Sequence, residues 1–230
     1  MDFTKFVATV EHASLFFPRC RQFDDPFEGS FPRANAPIRQ DSLVDLKLTL
    51  DQITDRLKNR SAFYKWNRHW VLANCWHMGP CESAALWRLY SKTTDAVCIV
   101  STYQRLRDCL PVDVRIGEVS YIDYDNETVE EGNVNFPFMH KRLSFKHERE
   151  LRALIWDTNW CKTPEGRIDT EYIPSDLGQW MPCDLVKLVE CIRVAPQSLD
   201  WFHDLVRRVA THYGLTVEVR RSSLDDAPFF

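Results

Sequence analysis

The sequence predicts an α+β protein, a single domain spanning 1–230 in which a mixed, mostly antiparallel sheet carries helices packed on it. Three observations lead there. Hydrophobic residues make up 44% and charged residues 27% of the 230 positions, the balance of a globular chain rather than a disordered one. Apolar stripes at helical spacing interleave with short strand-like runs, without the regular spacing of parallel βαβ units. No internal repeat, low-complexity tract or linker demands a second domain, and a chain this long buries roughly 70% of its unfolded surface, enough for one sizeable core.

The elements follow in order. Phe3, Phe6, Val7 and Val10 recur at helical spacing, and "SLFFPR" after them reads as a strand ended by proline. "QFDDPFEGS" (22–30) is turn chemistry: Asp25-Pro26 and Gly29 set the backbone, and Phe23 and Phe27 can pin it onto a core. Leu43, Leu46, Leu50, Ile53 and Leu57 mark a long helix capped by Asp41 or Ser42. "WVLANCWH" (70–77) has strand composition, and Pro80, Glu82 and Ser83 open a helix carrying Ala85, Leu86, Leu89 and Tyr90. "DAVCIVST" (95–102) is a buried strand, followed by a short helix and the alternating strand "VDVRIGEVSYID". "FKHERELRALIW" (145–156) reads as a half-buried strand, and "WMPCDLVKLVECIRVAP" as helix then strand. A helix from Ser198, with Phe202, Leu205, Val206, Val209 and Tyr213 on one stripe and Gly214 as its stop, precedes a closing strand "LTVEVRRSS".

The formal charge of -4 argues against a protein that coats nucleic acid generally, while permitting a local basic patch. No apolar run approaches the roughly 20 residues of a membrane helix, and the opening "MDFTKFVATVEH" is amphipathic with acids rather than a signal peptide, so a cytoplasmic protein with no membrane partner is expected. The eight cysteines are scattered, several within apolar runs, as reduced core residues would be. Cys75, His77 and Cys81 lack the paired spacing of a zinc site, so no metal is expected.

Four features carry chemistry. On a strand over 145–156, Glu148, Glu150 and Arg152 share one face. The two carboxylates repel, and partial burial would raise one pKa and make a usable acid or base; alternatively, the pair stays ionised and holds a cation. The segment "RLKNRSAFYKWNRHW" (56–70) interleaves Arg56, Lys58, Arg60, Lys65 and Arg68 with Phe63, Tyr64, Trp66 and Trp70, the combination of phosphate-neutralising cations and stacking faces that nucleic acid needs. A helix end with solvated cations and core aromatics would read the same. In "CWHMGPCESAALWRLYS" (75–91), His77 stands at a strand end and Glu82 at a helix start, with Trp87 and Tyr90 on the helix, where ligands commonly dock. Around the turn, Asp25 and Glu28 are further ligand candidates, though one acid of the turn is expected to serve its backbone.

Together "FDDPFEGS" at 23–30, "CWH" at 75–77, "ESAALWRLYS" at 82–91, "KRLSFKHERELR" at 141–152 and the closing "RRSSLDDAPFF" resemble a mostly bacterial domain-of-unknown-function family with an F-x-D-P-F-E-G turn, a W-x-x-Y helix and an E-x-E-x-R strand. The resemblance spans nearly the whole chain and brings no established activity. Members usually begin with a short Trp-Arg-Tyr stretch that "MDFTKFV" lacks. The E-x-E is also similar to the glutamate motif of ADP-ribosyltransferases, which implies that Glu150 would hold a ribose of NAD with Glu148 beside it. Those enzymes need an Arg or His on an early strand, and nothing before Phe16 supplies it convincingly.

A basic patch and an acidic site together suit a substrate anionic at one end and cationic at the other. The expected function is a transferase that takes a basic aminoacyl group from tRNA, forming a peptide or cyclic dipeptide without a cofactor. Arg56, Lys58, Arg60, Lys65 and Arg68 would hold phosphates, Glu148 or Glu150 would hold the cation or serve as base, and His77 would assist proton transfer. The alternatives are ADP-ribosyl transfer or NAD hydrolysis centred on Glu150, and a non-enzymatic docking module of a defence system.

Overall fold

The computed structural model describes residues 1–36, 48–91, 95–157, 165–166, 169 and 171–230. In chain order its helices and strands begin α1 (Phe3–Glu11), β1 (Ser14–Pro18), α2 (Leu50–Asn67), β2 (Val71–His77), α3 (Ala84–Tyr90), β3 (Val97–Val100), α4 (Tyr103–Cys109), β4 (Arg115–Glu118) and β5 (Ser120–Ile122). They continue with β6 (His140–Arg142), β7 (Glu150–Trp156), β8 (Gly178–Pro182), α5 (Leu185–Leu188), β9 (Cys191–Val194), α6 (Asp200–His212) and β10 (Glu218–Arg220). The fold is α+β, with small, mainly antiparallel sheets. The chain forms two compact units, one from Met1–Phe16, Gly79–Val112 and Trp180–Phe230, the other from Phe17–Met78 and Asp113–Gln179.

In the first unit β9 is the central strand, antiparallel to β3 and parallel to β10. Its apolar run buries Ile192 and Val194 against Val97 and Ile99. The amphipathic α6 seals this core with Phe202, Val206 and Ala210, four residues apart on one face, and Phe3 of α1 meets Phe202 edge-on at 5.3 Å. Gly214 ends the helix at φ +80, a conformation that costs glycine nothing.

In the second unit β7 lies between β2 and β4, antiparallel to both. One face of this sheet gathers Val71, Ala73 and Leu154 with Cys20 and Phe138 into a buried cluster, edged by Phe23, Met139 and Trp156. The expected turn is present: the Asp25 carboxylate accepts from the Phe27 amide at 3.1 Å, and Gly29 takes φ +69. A Cβ at Gly29 would sit 2.3 Å from the Phe138 ring, so this position has no room for a side chain.

Two expectations are revised, and a third falls partly outside the described residues. The stretch 145–156 is a strand only from Glu150; Leu143–Glu148 is a 3-10 helix, and Arg149 is left-handed at φ 42, ψ 60. Local alternation alone mimicked a strand, whereas the non-glycine αL residue gives no sequence signal. "VDVRIGEVSYID" breaks into β4 and β5, because the Val119 amide turns to the Glu150 carbonyl and β5 then pairs in parallel with β6. The expected caps Asp41 and Ser42 lie outside the described residues; α2 begins at Leu50, with Thr49 and Gln52 forming a reciprocal capping box.

Candidate functional site

Alternation along β7 sends Glu150 and Arg152 to the same face of the sheet, and the register sets His77 opposite Glu150 and both Cys75 and Gly117 opposite Arg152. Arg152 is fully buried. Its Nε donates to Glu150 at 2.6 Å, and Nη2 donates to Glu150 at 3.0 Å and Glu28 at 3.1 Å. Nη1 donates to Glu28 at 2.9 Å and to the Phe138 carbonyl at 2.5 Å. All five N–H groups of the guanidinium are thereby used, the condition under which an arginine tolerates the interior.

A second cation closes the cluster. The Lys141 ammonium contacts the carboxylates of Glu148, Glu150 at 3.3 Å and Glu28 at 3.4 Å. Three carboxylates face two cations, so one negative charge is in surplus. Glu148 is the most accessible of the three acids, its side chain 13% exposed against 6% for Glu150 and 1% for Glu28. Asp25 stands beside this group with its own partner, Arg142, at 2.8 Å. That guanidinium also lies over the Phe27 ring.

The electrostatics reverse the expectation that repulsion would lift a carboxyl into the neutral range. Burial alone would push Glu150 up, but the charge and hydrogen bonds of Arg152, helped by Lys141, outweigh it and hold Glu150 below its ordinary value. Glu150 is therefore a fixed carboxylate rather than a proton carrier near neutral pH. Cys75 keeps solvent access at the residue level, yet its thiol is crowded and beside Glu150, and is held well above the ordinary cysteine range. It remains a thiol, not a thiolate nucleophile.

The exposed edge of the cluster is His77. Its Nδ1 lies 2.6 Å from the Glu148 carbonyl. A carbonyl only accepts, so Nδ1 is the donor, and Nε2 is the nitrogen left to accept when the ring is uncharged. Nε2 has no partner among the described residues. The left-handed Arg149 produces this contact: it reverses the chain between Glu148 and Glu150, and its carbonyl accepts from the Met78 amide at 2.8 Å, tying the turn to the end of β2. Tyr121 Oη accepts from the Glu150 amide at 2.8 Å. Burial and the charges of Glu150 and Glu148 push its phenol up, so it keeps an O–H to donate.

Of the sequence candidates, the second unit therefore brings together Glu28, Glu148, Glu150, Arg152 and His77, with Asp25 adjacent. Lys141 and Tyr121 were missed. Lys141 opens the quoted stretch "KRLSFKHERELR", in which Arg142 and Lys146 also precede the two glutamates, so nothing local singles it out, and nothing local marks Tyr121.

Glu82, Trp87 and Tyr90 belong to the first unit. There Glu82 accepts from Ser222 at 2.6 Å, the Ser223 amide at 2.9 Å, Trp87 Nε1 at 2.9 Å and Arg193 at 2.8 Å. Burial opposes its charge, but the Ser222, Ser223 and Trp87 donors outweigh it and hold the carboxyl at about 2. It clasps the segment after β10, while Tyr90 is 59% exposed. Because the folded pKa lies below the ordinary 4.5, the stabilisation is complete above that pH and is lost as pH falls from there to about 2. Glu82→Gln is expected to cost about 1–3 kcal/mol at neutral pH and to flatten the acid limb of the stability curve, read by urea denaturation across that range.

The five cations of the basic segment also separate. Arg60 pairs with Glu131, and Arg68 donates to the Pro26 carbonyl at 3.2 Å. At about 100° per residue, Arg56 and Arg60 lie on one side of α2 and Lys58 and Lys65 on the opposite side. Trp66 and Trp70 are buried, Phe63 packs on Trp66, and Tyr64 packs on Phe31. Core packing thus claims the aromatic faces expected to stack on bases, leaving Arg56, Lys58 and Lys65 as exposed cations.

No family of known proteins, no curated protein and no solved structure matches the chain. Among the described residues no group of metal-ligating side chains is found, and no helix is long and apolar enough to cross a membrane.

Proposed function

We propose that the chain is a group-transfer enzyme that delivers an acyl group to an amine, with aminoacyl-tRNA as donor. The observation that carries this reading is the tautomer of His77: a fixed, solvent-facing Nε2 beside a cluster with one surplus negative charge. An ammonium acceptor is drawn to Glu148, the accessible end of that charge. Nε2 takes its proton, and the freed amine attacks the ester carbonyl of the donor. The new C–N bond forms as the C–O bond to the ribose breaks, the imidazolium returns its proton to the leaving hydroxyl oxygen, and the second proton of the attacking nitrogen is released to water, leaving a neutral amide. Tyr121 donates its O–H to the carbonyl oxygen as charge develops there. A peptide or a cyclic dipeptide is the product class, and no cofactor is needed.

This narrows the roles read from the sequence. Glu150 positions and Glu148 binds, since both Glu150 oxygens are engaged by Arg152 and Lys141. An NAD ribose at Glu150 would have to displace one of those partners. The donor half rests on Arg56, Lys58 and Lys65, which remain free to meet phosphates. Reversing all three to glutamate is expected to weaken tRNA binding by about tenfold or more and to reduce its salt dependence. Filter binding at two salt concentrations reads this, and unchanged affinity in the triple variant removes tRNA as the donor.

A further inference from the structure

A third cationic group lies in the second unit, where β2 begins. Arg21, in a 3-10 helix at Cys20–Gln22, donates its backbone amide to the Arg68 carbonyl at 3.0 Å, which brings the two arginines together just after α2. His69 follows. None of the three has a carboxylate hydrogen-bonded to it among the described residues. Nearby Asp157 and Asp176 are engaged by Arg19, at 3.0 and 2.8 Å.

The side chains are anchored but incompletely used. Arg21 Nη2 donates to the Pro174 and Asp176 carbonyls, and Arg68 Nη1 to the Pro26 carbonyl. Those bonds fix both guanidinium planes, yet the Nε of each arginine and Nδ1 of His69 are buried without a hydrogen-bond partner. Capping α2 does not explain them. The carbonyls of Trp66, Asn67 and Arg68 already accept from the amides of His69, Trp70 and Arg21. Two fixed guanidiniums and an imidazole, with no carboxylate hydrogen-bonded to them among the described residues, are the complement of a tetrahedral oxyanion.

We infer that Arg21, Arg68 and His69 form a binding site for a phosphate group. The site deepens the donor half of the proposed function and rests on it only for what carries the phosphate. The local field agrees: burial, then the charges of Arg21, Arg68 and Arg19, hold the His69 imidazole below its ordinary value, and a bound anion reverses that.

The test is an NMR pH titration of His69 with and without inorganic phosphate, alongside calorimetric binding of phosphate and of a nucleoside monophosphate. Phosphate is expected to raise the His69 pKa, and Arg21→Gln and Arg68→Gln are each expected to weaken binding tenfold or more, while the exposed Arg33→Gln leaves it unchanged. Tighter binding of the monophosphate assigns the site to a nucleotide carrier; equal binding assigns it to free phosphate. A wild-type His69 pKa indifferent to phosphate overturns the inference without relying on any variant, as does undiminished binding in both glutamine variants. If tRNA binding fails while phosphate still moves His69, the donor reading falls and the site stands.

Discussion

Arg152→Met is expected to destabilise the protein by about 3–5 kcal/mol, because it strands Glu28 and Glu150 in the interior with only Lys141 to compensate them. The loss should be visible in urea denaturation at neutral pH, and its pH dependence identifies the cause. In the wild type Glu150 lies below its ordinary 4.5, so its contribution is present above that pH and lost as pH falls through the folded value. In the variant the Glu150 contribution vanishes, and the loss of stability over that window should shrink to what Glu82 and the other carboxylates cause. Adding Glu28→Gln and Glu150→Gln to Arg152→Met should restore part of the stability, since the buried charges go with their partner. A variant as stable as the wild type would mean that water reaches the carboxylates and the cluster is not sealed.

His77→Gln is expected to lower transfer by about 10²–10⁴-fold, the usual contribution of a positioned general base, while leaving thermal stability nearly unchanged because residue 77 is exposed at the end of β2. The glutamine amide can still donate to the Glu148 carbonyl, which keeps the local geometry and removes only the basic nitrogen. Full activity in the variant would assign proton transfer to another group.

Where a single element carried its own signal, the sequence was readable. The α+β class, β2 over Val71–His77, the Ser83 cap of α3 and the buried face of α6 all follow from local composition and period. Partners could not be read the same way. Glu28 reaches Arg152 across 124 residues, and nothing local distinguishes an acid of a turn that serves its own backbone, as Asp25 does, from one that neutralises a buried arginine. The E-x-E pattern drew attention to Glu148 and Glu150, and as a strand it set two like charges side by side without naming what holds them. A left-handed Arg149 and an unforeseen Lys141 instead give the pair a shared counter-ion. The basic segment misled for a related reason: charge and aromatic content are visible in sequence, but the side of α2 on which each residue falls decides whether it meets solvent or core.

The central claim, acyl transfer to an amine at His77, is tested most directly by incubating the protein with tRNA carrying isotope-labelled amino acids and a primary-amine acceptor, and following label by mass spectrometry. Label is expected to leave tRNA for an amide-bonded product, with the His77→Gln protein folded and at least a hundredfold slower. Label that stays on tRNA, or a product formed equally well by the variant, would contradict it.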